Sequence, residues 1–174
     1  MKEQSPADKK IHQLIDALSD SSIDKRHQAV RELGNIGRPS VDPLIQALAG
    51  AFDNDHRWYA ALALSGVGAP AVDPLISAMR VHPENEFRRY AAAALGNIGI
   101  PAIEPVIDAM ATEDRELRGF LSLALCRIGK PAVGPLTRRL DDADDIIRSC
   151  ATLTLWQMGE IGLPAMVDKL QDEE

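Results

Sequence analysis

Arg88-Arg89-Tyr90-Ala91-Ala92-Ala93-Ala94-Leu95-Gly96-Asn97-Ile98-Gly99 decides the fold, because imperfect copies of it stand on both sides at a fixed interval. Its last glycine recurs as Gly37, Gly68, Gly99, Gly129 and Gly159, in steps of 31, 31, 30 and 30 residues. Its first arginine keeps the same step at Arg26, Arg57, Arg88, Arg118 and Arg148. Between the copies runs a shorter apolar pattern: Leu14-Ile15-Leu18, Leu44-Ile45-Leu48, Leu75-Ile76-Met79, Val106-Ile107-Met110, Leu136-Leu140 and Met166-Val167-Leu170. Short segments therefore alternate with longer ones, six against five.

Both kinds of segment place apolar residues at i, i+3, i+4 and i+7, the period of a helix, and the long ones are rich in alanine. Ser22, Asp53, Asp114 and Asp144 stand four residues before the repeated arginine, where an N-cap side chain accepts free amide hydrogens, with Glu84 a weaker cap. The repeated glycine supplies a left-handed cap, and Pro39, Pro70, Pro101 and Pro131 follow two residues later, where the helix must have stopped. Pro43, Pro74, Pro105 and Pro135 fall in the first turn of the next short helix, where the missing amide hydrogen breaks no bond. The spacing predicts short helices over 11–19, 40–49, 71–80, 102–111, 132–140 and 164–171. It predicts long helices over 23–36, 54–67, 85–98, 115–128 and 145–158.

The run Arg-x-x-Ala-Ala-x-Ala-Leu-Gly-x-Ile-Gly-x-Pro-Ala-x-x-Pro-Leu-Ile resembles the short HEAT-like repeat of the phycobilin lyases, and the likeness covers about residues 11–171. It implies an all-α, right-handed alpha-alpha superhelix (a HEAT-like solenoid) of about five helical hairpins plus a C-terminal capping helix. The 30 to 31 residue step is shorter than the ~40 to 47 of longer HEAT and armadillo units. The expected organisation is a flexible segment at 1–10 and one repeat domain at 11–174.

Composition narrows the function. Hydrophobic residues make up 45% of the chain and aromatics only 4%, which suits closely packed helices rather than a sheet sandwich. No apolar run is long enough to span a membrane, and a soluble cytoplasmic protein is expected. A net charge of −7 repels phosphate backbones, so nucleic acid is not the expected partner. Cys126 and Cys150 lie too far apart for a C-x-x-C pair and are read as free thiols.

Comparing the copies separates scaffold from variable positions. With the repeated arginine as zero, position seven is always leucine and position ten always apolar, and both face the core. Positions one, two, five and nine fall on the opposite side of the helical wheel. They hold Arg31 in the first copy, Trp58, Tyr59 and Leu62 in the second, and Arg89 and Tyr90 in the third. The fourth supplies Phe120, Leu123 and Arg127, and the fifth Leu153 and Cys150. The resemblance implies that the long helices line a concave face, which would set these aromatics and leucines in a groove flanked by arginines, the composition of a binding hot spot. The competing reading is that packing between adjacent long helices buries them as ordinary core. The repeated arginines are read as structural, paired with acids such as Asp53, Asp114 or Asp144, and Asp42, Asp73 and Glu104 as first-turn charges of the short helices.

Signals for chemistry are weak. The related scaffold enzyme deoxyhypusine hydroxylase holds iron with His-Glu pairs, but His12, His27, His56 and His82 are followed by Gln, Gln, Arg and Pro. There is no phosphate loop, no nucleophile elbow and no Cys-His partnership. No cofactor or metal is expected. The leading expectation is a non-catalytic scaffold that binds a protein or peptide through Arg31, Trp58, Tyr59, Leu62, Arg89, Tyr90, Phe120, Leu123, Arg127 and Leu153, with a homodimer through the same face as a further option. The alternative, implied by the resemblance, is a lyase-like or chaperone subunit that binds a tetrapyrrole.

Overall fold

The computed structural model describes residues 5–171. Among these residues there are α-helices and short 3-10 turns but no strand. The first helices of the hairpins are α1 (Pro6–Asp16), α3 (Val41–Gly50), α5 (Val72–Val81), α7 (Ile103–Ala109), α9 (Lys130–Arg138) and α11 (Leu163–Gln171). The second helices are α2 (Ile23–Ile36), α4 (Asn54–Val67), α6 (Asn85–Ile98), α8 (Arg115–Ile128) and α10 (Asp145–Gln157).

The boundaries of the second helices follow from their ends. Asp53 accepts from the His56 amide at 2.7 Å, Asp114 from Leu117 at 2.9 Å, and Asp144 from Ile146 at 2.8 Å, so these carboxylates fill part of each first turn's unmet donors. Ser22 occupies the matching position without a side-chain bond; instead Asp20 receives its amide at 2.8 Å. The first four second helices stop at the repeated glycine, but not in the left-handed helical region, whereas α10 ends at Gln157 with Met158 as its cap. Gly68 has φ 78° and ψ −142°, a backbone state that is essentially reserved for glycine and that an asparagine cap could not replace.

Two expectations at the ends of elements change. Residues 6–10 are helical rather than flexible, because Ser5 and Asp8 close a reciprocal capping box and Pro6 opens the helix. Residues 1–4 of that expected segment lie outside the described residues. In the fifth hairpin α9 begins directly at Lys130, so Pro135 falls inside the helix instead of in its first turn.

The chain divides into two compact units, Met1–Ala94 and Leu95–Glu174, and the division falls within α6. In the first unit α1 packs on α3 and α3 on α5, while α2 packs on α4. In the second, α7 packs on α9 and α9 on α11, while α8 packs on α10. First helices thus stack on first helices and second on second. The leucine at position seven of every copy, Leu33, Leu64, Leu95, Leu125 and Leu155, is fully buried. Small residues set how closely neighbours approach: a Cβ on Gly34 of α2 would lie 3.2 Å from the Gly66 carbonyl carbon of α4.

Candidate functional site

Stacking of the second helices decides which of their side chains meet solvent. Positions one, five and nine form a ridge at i, i+4 and i+8, which lies along one line of a helix surface. In the first unit this ridge carries His27, Arg31 and Asn35 on α2, then Trp58, Leu62 and Gly66 on α4. Trp58 is 42% exposed and Leu62 half-buried. Arg89 on α6 is exposed, pairs with Glu86, and stands with its guanidinium 5.2 Å from the Tyr90 ring centre. Arg31 is exposed on α2.

In the second unit the ridge carries Leu123 and Arg127 on α8 and Leu153 on α10. Leu123 is 49% and Leu153 58% exposed, a large apolar surface on positions where a scaffold alone needs none. Arg127 is exposed, donates to the Asn97 side chain at 2.9 Å, and lays its aliphatic stem against Gly96. Beside Leu153 lies a recess of about 240 Å³ walled by Arg118, Ile146, Ser149 and Cys150.

Position two is more enclosed than this ridge from the second copy on. Tyr59 is only 9% exposed, against the expectation that it faces solvent, and Tyr90 and Phe120 are half-buried. The wheel treats a helix alone, whereas position two turns into the seam with the preceding second helix. Tyr59 there meets His27 edge-on at 5.6 Å and lies 4.9 Å under the Arg26 guanidinium. Gln28, the same position on α2, has no second helix before it among the described residues and is exposed. The core reading therefore holds for Tyr59 and the surface reading for Trp58. Cys150, also at position two, is 8% exposed, and burial pushes its thiol and that of Cys126 above the usual cysteine range, which leaves little thiolate for chemistry.

Trp156 on α10 is 64% exposed and was not among the expected site residues. It occupies position eight, where the other copies have Gly34, Ser65, Gly96 and Cys126. Small residues there leave room for the next second helix, and among the described residues α10 has no second helix after it. A bulky residue in the last copy alone was the signal available in the sequence.

The repeated arginines are structural, and backbone carbonyls as well as acids are among their partners. Arg57 donates to the Ala51 carbonyl at 2.5 Å, Arg118 to Thr112 at 2.6 Å and Arg148 to Asp142 at 2.5 Å. Arg88, 1% exposed, donates to the carbonyls of Met79 at 3.0 Å and His82 at 3.2 Å. Each thus caps the carbonyl end of the preceding first helix or its turn, where the oxygens lack intrahelical donors. Arg26 is the exception: it reaches Asp55 of the next copy at 3.3 Å.

The histidines are dispersed. His12 bonds the Asp8 carbonyl, His56 the Ser19 hydroxyl, and His82 packs on Phe87. Among the described residues no three His, Cys, Asp or Glu side chains come together, and no helix is long and apolar enough to cross a membrane.

A chain of stacked helical hairpins with capped, repeating ends is the architecture of a HEAT-type protein. This chain belongs to the HEAT repeats family, whose pattern matches residues 11–96 and again residues 72–156. No curated protein matches it. Among solved structures it is similar to an engineered protein at 18% identity, covering 94% of this chain and 86% of that one, with a TM-score of 0.36. It is also similar to a designed armadillo repeat protein at 18% identity, covering 91% of each chain, with a TM-score of 0.33.

Proposed function

We propose that the chain is a non-catalytic scaffold that binds a protein partner through the exposed ridges of its second helices. The observation that carries this reading is the exposure of Trp58, Leu123 and Leu153 at ridge positions. Buried apolar residues are explained by packing; these are not, and the ridge arginines beside them supply the polar edge that hot spots have. Helix-dense repeat arrays present such surfaces without needing a reactive group. We place residues 11–174 in one domain, since the division between its compact units falls within a helix rather than a linker. The two free thiols suit a reducing compartment such as the cytoplasm.

The ridge is tested with the full chain carrying Trp58→Ala, Leu123→Ala and Leu153→Ala together. All three sites are exposed, so wild-type circular dichroism is expected, with stability changed by no more than ~0.5 kcal/mol per site. Recovery of cross-linked partner proteins is expected to fall at least about tenfold, the effect of losing one hot-spot contact or more. Undiminished recovery from folded variant protein would reject the ridge. A visible absorbance band on adding a bilin, lost in the same variant, would reassign the surface to the tetrapyrrole that the lyase-type resemblance implies.

A further inference from the structure

The first helices carry a second comparison between copies. In the second unit α7 presents Glu104 and Asp108, one turn apart, to Arg138 and Arg139 at the end of α9 and in the turn after it. Arg138 donates to Glu104 at 2.8 Å; Arg139 donates to Glu104 at 3.1 Å and to Asp108 at 2.6 Å. Guanidinium groups thus bridge those two first helices across their seam, with planar forks that match the carboxylates.

The first unit repeats the seam without its arginines. Aligned on the buried Leu44, Leu75, Val106 and Leu136, Glu104 and Asp108 correspond to Asp42 and Gln46 on α3, and Arg138 and Arg139 to Ser77 and Ala78 on α5. Two long basic side chains are replaced by two short ones. The seam is here an open depression of about 630 Å³, within the ~300–1,000 Å³ common for ligand sites. Ile45, Pro74 and Val81 give it an apolar lining, with Asp42 and Asp73 as its acids. Arg38 also lines it and pairs with Asp42 at 3.2 Å, but both side chains are more than half exposed, so that pair exchanges at little cost.

We propose that the depression between α3 and α5 docks an arginine-bearing segment of a partner protein. A guanidinium would take up Asp42 on α3, the counterpart of Glu104, together with Asp73 across the seam on α5, where Asp108 is matched only by Gln46, and its aliphatic stem would lie on Ile45 and Pro74. The chain's net charge of −7 draws such a segment toward it. This site lies on first helices and does not depend on the ridge of the second helices.

The test is an amide-resolved NMR titration of the full chain with acetyl-Thr-Arg-Arg-Leu-amide, the sequence of residues 137–140, and with its Thr-Gln-Gln-Leu analogue. Saturable shifts at Gln46, Asp73 and Ser77 are expected with the arginine peptide alone, weakening as salt rises. D42N/D73N, at two exposed sites, is expected to bind at least about tenfold more weakly. Ser77→Arg supplies the missing guanidinium from within and is expected to compete, whereas Trp58→Ala binds as wild type. Equal response to the glutamine peptide, shifts centred elsewhere, or unchanged binding by D42N/D73N would overturn the proposal. So would shifts at these amides that depend on protein concentration alone, since a second copy would then occupy the depression.

Discussion

At Gly162, in the corner before α11, an added Cβ would fall inside the van der Waals surface of the Leu155 carbonyl oxygen, which is backbone of α10 and cannot swing aside. Gly162→Ala is therefore expected to destabilise the protein by about 3 kcal/mol, read from the urea midpoint. Gly119, inside α8, has nothing within 4 Å of an added Cβ, and its helical backbone gains from a less flexible residue. Gly119→Ala should raise stability by ~0.5–1 kcal/mol, and equal responses at the two sites would contradict the packing. Both glycines depart from the repeat, so spacing could mark them as irregular but could not give the sign. The sign is set by a neighbour supplied by another part of the chain.

At the scale of elements, the repeated arginine shows where reading from spacing stops. Its place at the edge of the core was legible from the wheel, and so was a structural role. Its carbonyl partners were not, because the repeat marks acids such as Asp53, Asp114 and Asp144, which each give Oδ1 to first-turn amides of their own helices, but does not mark where a helix end leaves its oxygens unmet. The unmet oxygens belong to the preceding first helix and its turn, as with Met79 and His82 below Arg88. Arg88→Ala would leave these carbonyls without their charged donor and open space at a site 1% exposed, an expected loss of about 3 kcal/mol in urea unfolding. Arg88→Lys should restore only part, since an ammonium lacks the planar fork. Arg26→Ala should lose less, because its partner Asp55 is exposed and the Arg26 Nε already has no acceptor. Equal losses at Arg88 and Arg26 would show that the carbonyl bonds carry little of the effect.

For the whole molecule, the repeat step and the bounds of α2, α4, α6 and α8 were legible, since the spacing from the repeated arginine and glycine marks both ends of each. The exposed surface of the second helices was legible only in part. Trp58 in the first unit and Leu123 and Leu153 in the second lie exposed on their own helices, while Tyr59 at the adjacent position is closed off by the preceding helix, a fact of stacking that no single helix contains. Trp156 was missed because, among the described residues, no second helix packs against its side of α10.

Stacking by neighbours also determines how such a chain loses structure. A globular core is shared, so one cavity weakens every element; here each helix is buried by the hairpins next to it. Leu136 on α9 is fully buried, and α9 packs on α7, α8, α10 and α11. Leu136→Ala is expected to cost about 3 kcal/mol there, and to speed amide exchange in α9, α10 and α11 by about two orders of magnitude. Amides of α2 and α4 are expected to keep wild-type exchange rates, because their burial rests on Leu33, Leu64 and the Gly34–Gly66 approach. Leu48→Ala in α3 should reverse the pattern, exposing α3 and α4 first. If either variant instead accelerated exchange uniformly from α1 to α11, the units would share one cooperative core, and stability would not be the nearest-neighbour property that the packing indicates.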